Sequence, residues 1–282
     1  MSAPQTSLAW LINEYKKSHN WLQYSPSTRR ERENIFKRII TNSDNCNYKA
    51  ITKQVILASR DQRLNTPAAA RAFLKAMNGL FIWAEEREFI AINPCYGVKY
   101  PKLTNTDGFV AWNETDIARY HSYYPLGTRA RLFLDILLYT GLRRGDVVRI
   151  GYKNVFNNVI FLKTEKSKFQ IEIALPILPK LKESLEAGPI GYNSFISSVN
   201  GAPLTKESFG NIFREMCNKA GIKKSAHGVR KLSATRAANA GATVAELKAI
   251  FGWSDDEMAS LYTKTADRRR LAANAIEKLN GV

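Results

Sequence analysis

His227 and Arg230, in the run His227-Gly228-Val229-Arg230, stand three residues apart. That spacing puts an imidazole and a guanidinium on one face of a helix, where both can reach a single phosphate. Taken alone, the pair is weak evidence, and a capping histidine beside a surface arginine is its commoner meaning. Arg143, in Thr140-Gly141-Leu142-Arg143, brings a second planar fork that matches phosphate oxygens and keeps its charge at any working pH, although a helix-end cation satisfying carbonyls would look the same. Lys166 and Lys168 sit in the polar run from Lys163 to Lys168, where either also suits the solvated tip of a hairpin. Tyr262 follows Trp253 by nine residues. A phenol has an ordinary pKa of about 10, so Tyr262 would need a neighbouring base or a strongly positive site to act as a nucleophile. Trp253 reads as a buried aromatic after a helix-ending glycine and, compatibly, as an indole N–H donor that cannot exchange a proton. Cys46, Cys95 and Cys217 are odd in number and contain no CxxC pair, which points away from a disulfide framework and from a cysteine zinc site. No cluster of Asp and Glu suggests a two-metal nuclease.

The elements that must carry these side chains are mostly helical. Leu8, Leu11, Ile12 and Tyr15 fall at helical spacing, and Ile35, Phe36, Ile39 and Ile40 repeat the pattern after Pro26. Thr66-Pro67 reads as an N-cap with proline in the first turn of a long helix whose stripe is Phe73, Leu74, Met77, Leu80 and Phe81. Helix signals stop at Asn93-Pro94, and the polar stretch 101–108 is read as a linker between a helical domain, 1–100, and a second domain, 109–282. In the second domain, Arg131 to Tyr139 is apolar on nearly every face and reads as a buried helix ended by Thr140-Gly141. Val159 to Leu162 and Phe169 to Leu175 read as strands, the second alternating as Phe169, Ile171, Ile173 and Leu175. Thr205 opens a helix with Phe209, Ile212, Phe213 and Met216 inward, and Gly241 closes the helix carrying Arg230. Thr243-x-x-Glu246 and Ser254-x-x-Glu257 read as capping boxes, the last opening a short helix with Tyr262, and the tail from Asp267 continues as a helix with Leu271, Ala275, Ile276 and Leu279 on one side. The expected fold class is mainly α with a small β-sheet.

Hydrophobic residues make up 45% of the 282, an ordinary content for a chain that buries one large core or two moderate ones. The longest apolar stretches are too short to cross a bilayer, and no secretory leader opens the chain, so no membrane partner is expected and a cytosolic protein is. The formal charge of +17 favours a polyanionic partner. Residues 1–100 carry 15 Lys and Arg against 8 Asp and Glu, and residues 101–282 carry 27 against 17. Two basic halves suit a clamp on a nucleic-acid duplex, gripping phosphates from both sides.

The order Thr140-Gly141-Leu142-Arg143 with Asp146, a hairpin lysine, His227-x-x-Arg230, Gly252-Trp253 and Tyr262 resembles the tyrosine recombinase family, and most closely the integrases of proteobacterial prophages and genomic islands. The resemblance covers about Phe109 to the C-terminus, the catalytic domain with its DNA breaking-rejoining fold, and the helical first domain is similar to the family's core-binding (SAM-like) domain. It implies site-specific DNA recombination through a 3′-phosphotyrosine intermediate, without metal, ATP or other cofactor. Arg143, Lys168, His227, Arg230, Trp253 and Tyr262 are the implied catalytic set. Tyr262 is the nucleophile, the two arginines hold the charge of the pentacoordinate phosphorane, and His227 takes the phenol proton or positions the phosphate. Lys168, which leads into the alternating strand, protonates the leaving 5′ oxygen, with Lys166 in reserve. Asp146 orients Arg143 or its turn. Most relatives place histidine where Trp253 stands, so proton transfer leans on His227 and the lysine. The implied partners are double-stranded attachment sites in the bacterial nucleoid, three further copies in a synaptic tetramer formed from free monomers, and DNA-bending accessory proteins. The tail helix packs either on its own core or on a neighbouring protomer. Helix signals beginning near Leu8 leave no room for a separate arm-binding domain, which suits a short, simple site. Against this stand a catalytically inactive recombinase-like DNA-binding protein, a type IB topoisomerase and a basic RNA-binding module.

Overall fold

A computed structural model of the chain describes residues 4–43, 46–103 and 108–279. The chain divides into two compact units, Met1–Thr106 and Asp107–Val282. Its fold is mainly α with a small three-stranded sheet.

The first unit holds α1 (Leu8–Lys17), α2 (His19–Leu22), α3 (Pro26–Ser43), α4 (Lys53–Asp61) and α5 (Pro67–Glu86). Leu8, Leu11, Ile12 and Tyr15 of α1 are buried in one core with Phe36 and Ile39 of α3 and the α5 stripe Phe73, Leu74, Met77, Leu80 and Phe81. Ser7 caps α1 by accepting from the Trp10 N–H. Thr66 stands at the N-cap of α5 but its side chain makes no capping bond, so Pro67, with its preset φ, starts that helix. The helix stops at Glu86, before the expected Asn93-Pro94. Glu88 takes the left-handed conformation (φ 59°) and the Phe89 N–H donates to the Ala84 carbonyl, a helix ending usually built on glycine.

The second unit runs through α6 (Glu114–Tyr123), α7 (Arg129–Thr140), α8 (Arg144–Val147), β1 (Val155–Phe156), β2 (Val159–Lys163), β3 (Glu172–Pro176), α9 (Pro179–Ala187), α10 (Lys206–Lys219), α11 (Ala226–Asn239), α12 (Val244–Phe251) and α13 (Glu257–Leu279). Its core gathers Leu132, Phe133, Leu134, Ile136 and Leu137 of α7 with Phe209 and Phe213 of α10 and Val229 of α11. The apolar run of α7 hides one charge. Asp135 is fully buried, bonded to Arg131 Nε (2.7 Å), His121 Nε2 (2.9 Å) and Ser184 Oγ (2.5 Å), which ties α6, α7 and α9 together. Burial pushes its pKa up, but these partners outweigh burial and hold the carboxyl below its ordinary value.

Two local expectations are corrected. The second strand begins at Glu172 rather than Phe169, because Lys168 (φ 54°) and Phe169 (φ 64°) are both left-handed and form the turn. Phe169 is half exposed, under the Arg149 guanidinium at 4.7 Å, instead of alternating inward. Ile173 and Leu175 do face the core, paired with Leu162 and Ile160 of β2. The Ser254 capping box does not form. The helix starts at Glu257, Asp256 accepts from the Ser260 N–H and pairs with Lys248 at 2.6 Å, and Ser254 turns to Asp255. Tyr262 and the tail share one helix, α13, whose Ala259 and Ala266 are buried with Ala234 and Ala238 of α11 and Leu247 and Phe251 of α12. Ile276 of the tail stripe is exposed, whereas the side chains of Leu271, Ala275 and Leu279 lie outside the described residues.

Candidate active site

The C-terminus of α7 shapes the site. Gly141 caps the helix in the left-handed conformation (φ 60°), and a Cβ there would run into the Phe251 ring, so both backbone and space demand glycine. Its carbonyl accepts from Arg230 Nη1 at 2.7 Å, and the Phe251 carbonyl accepts from Nη2 at 2.7 Å. Arg230, only 5% exposed, is therefore pinned between two helix ends whose orphan carbonyls it satisfies. Those bonds use two of its five N–H groups, leaving donors for an anion. Burial, then the charge of Arg143, pushes its pKa down to about 9, so it is still a cation at neutral pH.

Arg143 immediately precedes α8, with Leu142 buried behind it. Its Nη1 is buried and makes no hydrogen bond, an unspent donor in the second guanidinium. Burial lowers its pKa and the charge of Asp146 opposes that. Asp146, 1% exposed, accepts at Oδ1 from the Glu165 N–H (2.8 Å) and from Arg149 Nη1 (3.2 Å), so it fastens the start of the β2–β3 turn to α8.

His227 lies in the first turn of α11. Gly228 beside it accommodates the segment before α6. The Trp112 N–H donates to its carbonyl at 3.2 Å, and a Cβ would strike the Val110 carbonyl. The Phe109 ring packs on the imidazole with centroids 4.9 Å apart. Desolvation by this packing, then the charges of Arg230, Arg143, Lys231 and Lys166, lower the His227 pKa, although the ring keeps an exposed face. A depressed pKa means that, as pH falls, the unfolded chain takes up its proton first. The contribution to stability is full above the ordinary histidine value and is lost as pH falls through the folded one. The chain has three histidines, so the rings can be assigned by NMR. In free protein His227 is expected to titrate below the ordinary value of about 6.5, and binding of a phosphate diester should raise its pKa by offsetting the surrounding cations. A free-protein value above the ordinary one would contradict this electrostatic picture.

Tyr262 stacks on Trp253 (centroids 5.7 Å, planes 4° apart), and Trp253 in turn stacks on Phe251 (4.9 Å, 22°). Arg230 lies over both Phe251 (5.1 Å) and Trp253 (5.6 Å). Trp253, 8% exposed, is a shelf between the pinned arginine and the phenol. Burial raises the Tyr262 pKa and the charge of Arg230 opposes it, so the resting phenol is protonated and needs an acceptor. Lys166 and Lys168 are exposed on the hairpin turn, and while the Lys168 N–H donates to the Glu165 carbonyl at 3.0 Å, neither ammonium makes a hydrogen bond among the described residues. Of the two, Lys166 is the one whose charge bears on His227.

The structure thus gathers Arg143, Arg230, His227, Trp253, Tyr262 and Asp146, with Lys166 within electrostatic reach and Lys168 on the same turn. Sequence reasoning missed Phe251 and Phe109. Phe251 had a signal, as the aromatic before Gly252-Trp253, whereas Phe109 had none. Arg230→Ala is expected to unfold more easily, because two charge-assisted bonds of about 1.5–3 kcal/mol each are lost and two carbonyls are orphaned. For a unit of this size, that lowers the melting temperature on the order of 10 °C. A drop of under about 2 °C would deny Arg230 its structural share.

A family model described as the phage integrase family matches residues 113–269. The tyrosine recombinase XerD of Staphylococcus aureus is 26% identical over 195 residues, covering 64% of this chain and 63% of the relative. The integrase of Escherichia phage HK022 is 25% identical over 218 residues, 71% of this chain and 59% of that protein. The chain therefore spans just under two thirds of the length of these curated relatives. Among solved structures, a lambda integrase dimer bound to a COC′ core site superposes with TM-score 0.78 over 91% of this chain and 95% of that one, at 18% identity. The Tn1549 transposon integrase in complex with a circular intermediate DNA gives 0.74 over 94% and 99%, at 19% identity. These likenesses establish a shared fold. With the family model covering more than half of its length, and the two arginines, the histidine and the tyrosine gathered at one place within the match, the chain belongs to the phage integrase family.

Proposed function

We propose that the chain is a site-specific DNA recombinase that cleaves and rejoins DNA through a covalent bond to Tyr262. The observation that carries this reading is the pairing of Arg230, pinned by the Gly141 and Phe251 carbonyls against the Trp253 ring on which Tyr262 stacks, with the buried, unspent Nη1 of Arg143. Two fixed guanidiniums at one point are what a phosphorane with extra negative charge requires. The Tyr262 hydroxyl attacks the phosphorus and gives its proton to His227, whose lowered pKa keeps the imidazole neutral and able to accept. The bond to the 5′ oxygen breaks, and that oxygen takes a proton from the hairpin lysine. Lys168, in the turn ahead of β3, is assigned this role, and Lys166 is the alternative because its charge reaches His227. The 5′-hydroxyl of a partner strand then attacks the phosphotyrosine and reverses the chemistry. Bond energy is conserved throughout, so no ATP is consumed, and the protein side chains supply every proton without a metal.

The substrate is double-stranded DNA, consistent with the net charge of +17. Four copies act together on it, a reading supported by the lambda integrase tetramer solved on a Holliday junction. Among the described residues no helix is long and apolar enough to cross a membrane. The site of action is the bacterial nucleoid.

The test is to trap the reaction on nicked DNA carrying the attachment site of the chain's own element, then digest with trypsin. The expected product is a nucleotide remnant on the peptide 249–264, with the released strand open to direct phosphorylation by polynucleotide kinase, as a free 5′-hydroxyl must be. A peptide found on the 5′ end of its strand, with a free 3′-hydroxyl on the released strand, would reverse the polarity and reject this mechanism.

A further inference from the structure

Glu165 ties the turn that carries Lys166 and Lys168 to two other elements, beside the hold that Arg149 has on the Lys163 carbonyl and the Phe169 ring. The Glu165 N–H donates to the buried Asp146, and its carboxylate pairs with Lys206 Nζ at 2.5 Å. Lys206 is the first residue of α10, capped by Thr205 and rooted in the core by Phe209 and Phe213. That helix also lies close against α8, and a Cβ on Gly210 would overlap the Arg144 guanidinium. Gly145 clears the space on the other side: a Cβ there would occupy the position of the Glu165 carboxylate. Glu165 is thus anchored at its backbone by one element and at its side chain by another, immediately before two lysines whose ammonium groups make no hydrogen bond among the described residues.

We propose that Glu165 and Lys206 form a latch that positions the hairpin lysine for delivery of its proton to the leaving oxygen. The inference rests on the recombinase reading above. In the step concerned the bond from phosphorus to Tyr262 Oη forms, the bond from phosphorus to O5′ breaks, and a proton moves from the lysine ammonium to O5′. Neither latch residue touches these atoms, so both are positioning residues. A lysine ends a flexible four-carbon stem, and its ammonium stays close to O5′ only if the backbone from which it springs is held. The pair is partly exposed, 34% for Lys206 and 40% for Glu165. Its strength is that of a surface ion pair, and breaking it is worth about two- to fivefold in rate.

The experiment compares single-turnover cleavage of an ordinary site with one carrying sulfur at the bridging 5′ position of the scissile phosphate. A thiolate leaves without being protonated, so the sulfur substrate no longer needs the lysine. Glu165→Gln and Lys206→Met are each expected to slow the ordinary substrate about two- to fivefold, with the double variant no slower than either single one. All three should match the wild type on the sulfur substrate. Lys168→Ala, with Lys166→Ala made in parallel, identifies the proton donor by the same selectivity and a larger effect. Equal slowing on both substrates would assign the pair a merely structural role, and unchanged rates on both would remove it from the reaction. Either result overturns the latch. Failure of the wild type to form an adduct with either substrate is a different outcome, which overturns the recombinase reading and the latch with it.

Discussion

Arg143→Ala is expected to slow strand cleavage by about 10²–10³-fold, the usual cost of removing one preorganised donor to a developing oxyanion. The folded chain should remain as stable as before, or become more stable. The second half of this expectation comes from the buried Nη1 with no partner. An unsatisfied buried donor costs about 1–3 kcal/mol, and truncation removes that cost along with the burial of a charge. The stem of Arg143 contributes some packing, which sets the limit to the gain. Arg230 is the opposite case, since its guanidinium satisfies the Gly141 and Phe251 carbonyls and its loss damages fold and chemistry together. Thermal unfolding and single-turnover cleavage of the two alanine variants separate the roles. A large fall in melting temperature for Arg143→Ala would make that residue a structural arginine and remove the strongest sign of an anion site.

Much of the scaffold could be read from periodicity. The α5 stripe from Phe73 to Phe81 and the inward pair Ile173 and Leu175 follow from local spacing, because a helix or a strand repeats its buried face in sequence. Features set by distant partners could not. The left-handed turn at Lys168 and Phe169 breaks an alternation that runs on in the sequence, and the sequence does not announce that Arg149 will cover the Phe169 ring. Glu88 ends α5 in a conformation usually left to glycine. Asp135 reads as an interruption in an apolar helix until His121, Arg131 and Ser184 are brought to it. For the site, the residue types and their order were legible, and so was the need for Gly141. What was hidden is the support. Arg230 takes its geometry from the carbonyl of Gly141, 89 positions away, and from that of Phe251, and the Glu165–Lys206 pair spans 41 positions.

The most direct measurement of the account is covalent capture by wild type and Tyr262→Phe, run in parallel in EDTA on nicked or phosphorothioate-trapped DNA. Phenylalanine keeps the ring that stacks on Trp253 and removes only the hydroxyl, so fold, stack and DNA affinity should survive. Burial raises the Tyr262 pKa and keeps the resting phenol neutral, so the exchange changes no charge and the variant should be about as stable as the wild type. A denaturing gel is expected to show an adduct for wild type and none for Tyr262→Phe, with equal binding in a native gel. An adduct that persists in Tyr262→Phe would place the nucleophile elsewhere. No adduct from wild type, despite tight binding and with a related recombinase active alongside, would make the chain a DNA-binding protein without the chemistry.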